Sequence, residues 1–426
     1  MSRKNVLIYP SGAENAIEVY HAIRHSVHVN VVAATAKVDH SDLVYEGAVE
    51  HLPYIHDPAF LDELNSLIDR RGIDFIFPTH DSVALFLAES RPRLKCAVIA
   101  SHHDTMRVCR HKRLMYRMLG DMSSCPAVYD DIQGPVPYPI FAKPDVGEGA
   151  KGVHVVHDGR EHAALRAAND DLVFVEYLPG REYTVDCFTD RHGRLLFVGP
   201  RERSEIKMGI SFHSRAVEDR GAFERIAQEL NNRLKFRGLW FFQVKEDGAG
   251  RLKLLEVSAR VACTMGYFRH KGVNLPLLTV LDALDMDVVI KEGAYDVELF
   301  RSTLNRYRYD FDFTTVYLDL DDTVIMDGKV CTDVITFVYQ CMNRGRKVHL
   351  ITKHEHDVQA TLRKYRIDPA LFASIIMIPM TDSKADHIVP DGAIFIDNWY
   401  TERAAVQKRH GIPVFDVDAV ASLIVR

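Results

Sequence analysis

Short apolar segments occur along the 426-residue chain in two different patterns. In residues 1–100, such segments alternate with helical stretches, which predicts a parallel sheet with helices on its faces. In residues 138–260, glycine or charged turns separate them, which predicts antiparallel strands and an α+β region. The first pattern, apolar segments that alternate with helical stretches, returns at Thr315 and continues to the end of the sequence. We therefore expect an α/β and α+β multidomain protein with domains at residues 1–100, 101–312 and 313–426.

Composition and charge argue against several other classes of protein. Hydrophobic residues make up 47% and charged residues 26%, which is typical of globular proteins in water. A net charge of −6 argues against a nucleic-acid-binding protein, which needs a basic surface. No apolar run is long enough for a membrane span, and the polar start is unlike a signal peptide. The 7 cysteines lack a CxxC pair, which favours a cytoplasmic protein without disulfides or a zinc site.

A glycine-rich loop with Gly147, Gly149 and Gly152 lies between two predicted strands. Its spacing matches GxGxxG, but the dinucleotide fingerprint opens a helix, whereas a strand follows here. A strand–loop–strand unit can instead close over phosphate groups as a flap. Lys143 ends the strand before the flap, and Lys112 lies on a predicted helix upstream, so both could meet phosphate charge. A flexible hairpin with ordinary surface lysines explains these residues equally well.

Residues 239–260 have the pattern of a β-hairpin. If Ala249 and Gly250 form a two-residue turn, Gln243 lies opposite Glu256. Opposed side chains in a hairpin have Cβ atoms about 5 Å apart. The hairpin therefore predicts a carboxylate beside an amide oxygen.

Glu256, Ser258 and Arg260 alternate along the second strand and would share one face of it. Hard oxygen ligands suit Mg²⁺, which usually takes one or two protein ligands in addition to substrate phosphates. The alternative is a solvated face with a Glu–Arg ion pair. Neighbouring Phe and Leu residues indicate partial burial and favour the metal site.

Together these motifs resemble the ATP-grasp superfamily over residues 1–312, nearest to its single-unit, carbamoyl-phosphate-synthase-like members. The resemblance implies a Rossmann-like domain before an ATP-grasp fold. It also implies a ligase that joins a carboxylate to an amine through an acyl phosphate. Further matching segments are Asp74–Pro78 followed by Asp81, the Asp104–Lys112 helix, and Glu176–Gly180 with Glu182.

The resemblance also implies roles for individual residues. Gln243 and Glu256 would bind Mg²⁺, and Arg260 would stabilise charge that develops at the acyl phosphate. Ser258 stands where the family usually has Asn, so whether a second metal ion binds stays open. The segment 201–209 resembles a basic loop near the acyl phosphate, although a solvated charged loop explains it equally well. ATP would be bound by Lys112, Lys143, Gly147, Gly149, Gly152, Glu176, Tyr177, Leu178, Glu182 and Lys207.

Polar residues follow three predicted strands in the last part of the chain. Asp319 and Asp321 come after the strand Val316–Leu318, and Thr352 and Asp397 end two later apolar runs. Parallel strands bind ligands outside their carboxyl ends, so these side chains should share one crevice. Clustered carboxylates need a cation between them, which suggests Mg²⁺. A single aspartate-rich turn is usually a helix cap, but three coordinated strand ends argue against that interpretation.

This pattern resembles the haloacid-dehalogenase (HAD) superfamily over residues 313–426. The resemblance implies that Asp319 is a nucleophile that forms an aspartyl phosphate. Asp321 would act as general acid and base, and Thr352 would bind phosphoryl oxygens. Lys384 would neutralise the nucleophile and the phosphate. Asp397 would complete an Mg²⁺ site with Asp319 and Asp321.

Two further features refine the resemblance to HAD phosphatases. Glu402 stands in the position of the family's second acidic residue. The segments 324–351 and 353–383 are too short to hold a cap domain. A capless site is open, which suits a bulky or protein-delivered phosphoester.

The sequence therefore predicts a bifunctional cytoplasmic enzyme, an ATP-dependent ligase fused to an Mg²⁺-dependent phosphatase. Its expected ligands are ATP, Mg²⁺, a small-molecule carboxylate, an amine and a phosphorylated metabolite, with no nucleic acid or membrane partner. A homodimer is one arrangement that the sequence allows. Two alternatives stay open, namely a HAD module with a structural or dimerising role and an ATP-sensing regulator without turnover.

Overall fold

The computed structural model describes residues 3–130, 135–147, 149–302 and 304–424. The chain forms two compact units, Met1–Thr303 (unit 1) and Leu304–Arg426 (unit 2). Core clusters within unit 1 combine residues from both sides of residue 100, such as Val6 with Leu239. The predicted domain boundaries within and after unit 1 stay predictions. No helix in the described ranges is both long and apolar enough to cross a membrane.

Unit 1 begins with a parallel sheet, as the sequence predicts. Its strand order is β3-β2-β1-β4-β5, and every neighbouring pair is parallel. Val6 and Ile8 pack in one core cluster, and Leu7 and Tyr9 pack in another, so both faces of β1 are covered. The elements are β1 (Lys4–Tyr9), α1 (Glu14–Ile23), β2 (Val29–Thr35), β3 (Glu50–His51), α2 (Phe60–Arg71), β4 (Phe75–Pro78), α3 (Asp81–Glu89) and β5 (Ala97–Val98).

The chain leaves the carboxyl ends of β1 and β4 in opposite directions across the sheet. In open parallel sheets, ligands bind at this kind of switch point. Asp81 begins α3 directly after β4 and therefore lies at this edge.

Two short helices follow the sheet where the sequence predicted one. They are α4 (His103–Arg110) and α5 (Lys112–Leu119), and the extended backbone of His111 separates them. The single helix expected over Asp104–Lys112 is therefore wrong. Because of the break, Lys112 stands at the start of α5, where its side chain can point back toward the glycine-rich loop.

The rest of unit 1 contains two antiparallel sheets, which confirms the predicted strand pairing. The smaller sheet has the order β7-β6-β8, and its elements are β6 (Ile140–Pro144), β7 (His154–Val156), α6 (Gly159–Ala168) and β8 (Leu172–Glu176). The larger sheet has the order β13-β12-β9-β10-β11-β14. Its elements are β9 (Glu182–Thr189), β10 (Leu195–Lys207), β11 (Ile210–Ala216), α7 (Gly221–Arg233), β12 (Gly238–Glu246), β13 (Leu252–Ser258), α8 (Gly266–Arg269), α9 (Leu275–Ala283) and β14 (Leu299–Phe300).

The hairpin of β12 and β13 has the predicted register at one point but not the predicted turn. Gln243 pairs with Glu256, as expected. The turn, however, is a longer loop between Glu246 and Leu252, which pair with each other. A β-bulge then adds Leu255 to β13 and restores the register at Glu256. The two-residue turn at 249–250 is therefore wrong, and the bulge compensates for the error.

Unit 2 contains a parallel sheet with the order β19-β18-β15-β20-β21, as its pattern of apolar segments predicts. Val316 and Leu318 pack in one core cluster and Tyr317 in another, so helices cover both faces. Its elements are β15 (Thr315–Leu318), β16 (Ile325–Met326), β17 (Lys329–Val330), α10 (Thr332–Asn343), β18 (Lys347–Thr352), α11 (Val358–Lys364), β19 (Ser374–Met377), β20 (Ala393–Ile396), α12 (Tyr400–His410), β21 (Val414–Phe415) and α13 (Val420–Leu423).

The start of β12 depends on a glycine. Gly238 has a φ of +76°, and a Cβ there would lie 2.5 Å from Cγ2 of Thr279. We expect Gly238→Ala to lower the free energy of unfolding by at least about 2 kcal/mol, through backbone strain and steric overlap. Gly248→Ala is the matched control, because a Cβ there meets nothing within 4 Å. Urea unfolding followed by fluorescence would measure both variants, and equal stabilities would contradict this packing account.

Candidate functional site

A cavity of about 300 Å³ lies between the two antiparallel sheets of unit 1. We call it the first cavity. Of the residues predicted to bind ATP or metal, it is lined by Lys112, Lys143, Gly147, Gly149, Glu176, Tyr177, Leu178, Glu182, Gln243 and Glu256. Gly152 and Lys207 are not part of its lining, and Glu148 of the glycine-rich loop is outside the described residues. The structure thus brings most of the predicted set together.

Lys143 is the most deeply buried cation of the first cavity. Its Nζ donates a hydrogen bond of 2.8 Å to the carbonyl of Leu255, the bulge residue of β13. The hydroxyl of Tyr116 donates to the same carbonyl at 2.9 Å. Burial and the nearby charge of Lys112 lower the pKa of Lys143 to about 7, although Glu256 opposes the shift. The bulge therefore holds a lysine that loses its proton more easily than an exposed lysine does.

Lys112 approaches the first cavity from the start of α5. Its Nζ lies 3.4 Å from the carbonyl oxygen of Asp145, and the Asp145 carboxylate accepts a hydrogen bond of 2.6 Å from the backbone N–H of Arg113. Asp145 thereby ties α5 to the chain beyond β6. Burial lowers the pKa of Lys112, and the charge of Glu256 partly offsets this effect.

The opposite wall of the first cavity carries a carboxylate that is already paired. Glu182 forms an ion pair with Nε of the buried Arg203 at 3.2 Å and lies 3.8 Å from Nζ of Lys245. Arg203 also donates to the carbonyl of Gly209 at 2.6 Å. The arginine thus links this wall to the turn between β10 and β11.

The segment 201–209 is not the loop that the sequence suggested. It forms the end of β10 and its turn. Arg201 is fully buried and pairs with Asp186 at 2.8 Å. Lys207, one of the residues predicted to bind ATP, pairs with Glu205 at the exposed end of the strand. The sequence did not predict the burial of Arg201, because its partner Asp186 lies on the neighbouring strand β9.

Asp81 connects α3 to the strand that carries Glu256. One carboxylate oxygen accepts from the Ser258 hydroxyl at 2.7 Å, and the other accepts from Nε of Arg260 at 2.6 Å. Burial opposes the ionisation of Asp81, but Arg260 and Ser258 outweigh it and lower its pKa. Arg260 is therefore paired with Asp81, which replaces the Glu–Arg pair considered from the sequence. Ser258 is likewise engaged with Asp81.

A second cavity of about 490 Å³ adjoins the first one within unit 1. Both are lined by Lys112, Arg203, Gln243 and Glu256. The second cavity also reaches the loops at the carboxyl ends of β1 and β4. Lys151 also lines both cavities, and the further charged or polar lining of the second includes Glu14, Asn15, Asp81, Arg110, Arg201, Ser258 and Arg260. Because cations predominate, this cavity suits an anionic ligand beside the first.

In unit 2, a lysine joins two of the predicted aspartates. Nζ of Lys384 donates to Asp319 at 2.5 Å and to Asp397 at 2.6 Å, and all three side chains are buried. Burial raises the pKa of Asp319; Lys384 opposes this rise, and Asp397 adds to it. The oxygens of these two carboxylates are the hard ligands that Mg²⁺ prefers, so the residues fit a magnesium site.

The remaining predicted residues of unit 2 line a cavity of about 540 Å³ with Asp319 and Lys384. The Thr352 hydroxyl donates to Asp321 at 3.4 Å. Glu402 accepts from the backbone N–H of Lys384 at 3.0 Å and from Nζ of Lys353 at 2.6 Å. Asp397 does not line this cavity; its carboxylate is fully buried.

Sequence reasoning missed two residues of this site. His354 contacts Asp321, and Lys353 pairs with Glu402. Both directly follow Thr352 at the carboxyl end of β18. The sequence analysis had already identified the end of this strand as part of the site. The residues that follow it could therefore have been predicted as well.

Comparisons with known proteins bear on unit 1. A family model described as ATP-grasp in the biosynthetic pathway with Ter operon matches residues 168–302. The chain is 31% identical to a D-alanine--D-alanine ligase of Granulibacter bethesdensis, covering 31% of this chain and 48% of that protein. It is 22% identical to a carbamoyl phosphate synthase large chain of Clostridium beijerinckii, and this match covers 38% of this chain and 16% of that protein. The chain thus spans less than half the length of these curated relatives.

Solved structures show the same relationship in fold. The biotin carboxylase domain of Hydrogenobacter thermophilus 2-oxoglutarate carboxylase, in complex with MgADP and bicarbonate, has a TM-score of 0.56 at 14% identity, covering 69% of this chain and 72% of that one. An L-amino acid ligase from Bacillus licheniformis has a TM-score of 0.54 at 18% identity, covering 67% and 75%. The chain is similar to ATP-grasp proteins in sequence and in fold. The resemblance of residues 313–426 to HAD phosphatases stays a prediction.

Proposed function

We propose that unit 1 is an ATP-dependent carboxylate–amine ligase and that unit 2 is an Mg²⁺-dependent phosphatase. The ligase proposal rests on one observation, the convergence of Lys112, Lys143 and Glu256 in a cavity that opens into a second, basic cavity. The phosphatase proposal rests on the contact of Lys384 with Asp319 and Asp397. Solubility in the cytoplasm, and assembly into a homodimer, stay predictions.

In the proposed ligase, ATP occupies the first cavity. Its base lies against Glu176, Tyr177 and Leu178, and its ribose lies near Glu182. The two lysines face the phosphates, and the glycine-rich loop covers them. Gln243 and Glu256 would hold Mg²⁺, which supplies charge neutralisation for phosphoryl transfer. A structure of similar fold in complex with MgADP supports ATP and Mg²⁺ as the ligands of this cavity.

The carboxylate substrate lies in the second cavity beside the γ-phosphate. A carboxylate oxygen forms a bond to phosphorus while the bond to the β,γ-bridging oxygen breaks and ADP leaves. Arg260, fixed by Asp81, stabilises the charge that develops in this step. An amine then attacks the acyl carbon, inorganic phosphate leaves with the bonding electrons, and the amine gives up a proton. The product is an amide.

In the proposed phosphatase, an oxygen of Asp319 attacks the phosphorus of a phosphorylated metabolite. The bond to the ester oxygen breaks, and the Asp321 carboxyl group gives that oxygen a proton. Water then attacks the aspartyl phosphate while Asp321 takes one of its protons. Phosphate leaves, and the Asp319 carboxylate is restored. Thr352 and Lys384 stabilise the phosphoryl oxygens, and Mg²⁺, which Asp319 and Asp397 would hold, would neutralise further charge.

The metal role of Glu256 can be tested by substitution. Glu256→Ala should lower carboxylate-dependent ADP release by at least about a hundredfold, because it removes the carboxylate that would hold Mg²⁺ for phosphoryl transfer. Phosphatase turnover should be unchanged. Glu224→Ala, on the exposed face of α7, is the control and should retain both activities. Undiminished ADP release by Glu256→Ala would remove this residue from the metal site.

The lowered pKa of Lys143 predicts that nucleotide binding takes up a proton. A triphosphate beside Nζ raises this pKa from about 7 toward its ordinary value, so MgATP should bind most tightly below pH 7 and more weakly as the pH rises. Calorimetry at pH 8 in two buffers of different ionisation enthalpy should detect uptake of close to one proton per ATP, as linkage requires. Lys143→Met should bind more weakly, without proton uptake. Wild-type binding without proton exchange would contradict the assignment of Lys143.

The role of Asp319 predicts a selective loss of phosphatase activity. Asp319→Asn changes almost no volume but removes the attacking charge, so turnover on an aryl phosphate should fall at least about a hundredfold. Carboxylate-dependent ADP release should persist. A variant with the full phosphatase rate would place this chemistry elsewhere. A wild-type protein that hydrolyses no phosphoester across a broad panel with Mg²⁺ would favour a structural role for unit 2.

A further inference from the structure

Asp321 is the proposed proton carrier of unit 2, yet its side chain is 51% exposed. An exposed carboxyl group explores several rotamers unless something holds it. Thr352 reaches it with one long hydrogen bond of 3.4 Å. Nδ1 of His354 lies 3.0 Å from both of its oxygens and makes the closer contact.

His354 is held at both nitrogens of its ring and at its backbone N–H. Its side chain is only 10% exposed. Its backbone N–H donates to the Thr352 hydroxyl at 3.1 Å. On the far side of the ring, Nε2 lies 2.8 Å from the hydroxyl of Thr361 on α11. The ring thus bridges from α11 to Asp321.

This arrangement suits a group that must both give and receive a proton. Either nitrogen of a neutral imidazole can be the donor, and the Thr361 hydroxyl can donate or accept in the complementary sense. With the proton on Nδ1, the ring donates to an Asp321 oxygen whether that carboxyl group is protonated or ionised, and Nε2 accepts from the Thr361 hydroxyl.

We propose that His354 is a positioning residue that holds the Asp321 carboxyl group in line for proton transfer, with Thr361 fixing the ring. This inference rests on the phosphatase function proposed above. In the step concerned, the bond between phosphorus and the ester oxygen breaks as an Asp319 oxygen bonds to phosphorus. The Asp321 proton passes to the departing oxygen, and His354 keeps its own protons.

A purely structural role for His354 makes a different prediction. If the residue only stabilises the chain between β18 and α11, its loss should slow all phosphoesters alike. If it positions the general acid, the loss should depend on how much the leaving group needs a proton. An alkyl alcohol leaves poorly without one, whereas p-nitrophenolate leaves readily.

The test compares kcat/KM for an alkyl phosphate and for p-nitrophenyl phosphate, using the full chain with Mg²⁺. Because kcat/KM reports steps up to the first phosphoryl transfer, later hydrolysis does not obscure the result. His354→Phe should lower the alkyl value at least about tenfold and the p-nitrophenyl value less than about threefold, within the range of general acid catalysis. Thr361→Val should show the same selectivity with a smaller loss. His354→Asn, which can place a polar group near Nδ1, should recover part of the alkyl activity.

The control is His349→Phe in the same unit. The ring of His349 bonds the Ser374 hydroxyl at 2.7 Å and does not line the cavity, so both substrates should retain their rates. An equal loss on both substrates in His354→Phe, or no loss on either, would overturn the positioning role while leaving the phosphatase in place. A wild-type protein that hydrolyses neither ester would overturn the phosphatase function and this inference with it.

Discussion

The carboxylate of Asp81 holds unit 1 together at its functional edge. It belongs to the parallel-sheet part, yet it binds Ser258 and Arg260 at the end of the antiparallel hairpin. Removing one partner of a largely buried ion pair leaves an uncompensated charge, which costs several kcal/mol, on the order of 3–5. The contact therefore fixes where β13 ends relative to α3. The end of β13 in turn forms part of the wall of the second cavity, on the strand that carries Glu256.

The first cavity depends on a second local feature, the bulge at Leu255. An unbulged strand would direct this carbonyl into the ladder of hydrogen bonds. The bulge instead frees it to accept from Lys143 and Tyr116. Burial and the charge of Lys112 both disfavour a protonated Lys143, and the negative charge of a polyphosphate would favour it. The arrangement thus links a backbone irregularity to the chemistry proposed for the site.

Much of this was predictable from the sequence, because strands follow from apolar periodicity and sites lie at strand ends. The strands Phe75–Pro78 and Ala393–Ile396 match their predictions residue for residue. The register of Gln243 and Glu256 was right only because a bulge offset a wrong turn. The burial of Arg201 and the bridging role of Asp81 were not predictable, since their partners are distant in sequence or on another strand. The place of His354 after Thr352 at a strand end could have suggested it, but its contact with Thr361 on α11 has no sequence signal.

The central claim is that unit 1 activates a carboxylate as an acyl phosphate, and hydroxylamine trapping tests it most directly. Hydroxylamine attacks acyl phosphates and gives stable hydroxamates. The Asp319→Asn variant should be used, so that unit 2 cannot hydrolyse phosphorylated intermediates. With MgATP, hydroxylamine and a panel of amino acids and sugar acids, at least one carboxylate should yield ADP and its hydroxamate in equal amounts. ADP release that is independent of any carboxylate, or no hydroxamate from any of them, would contradict the account.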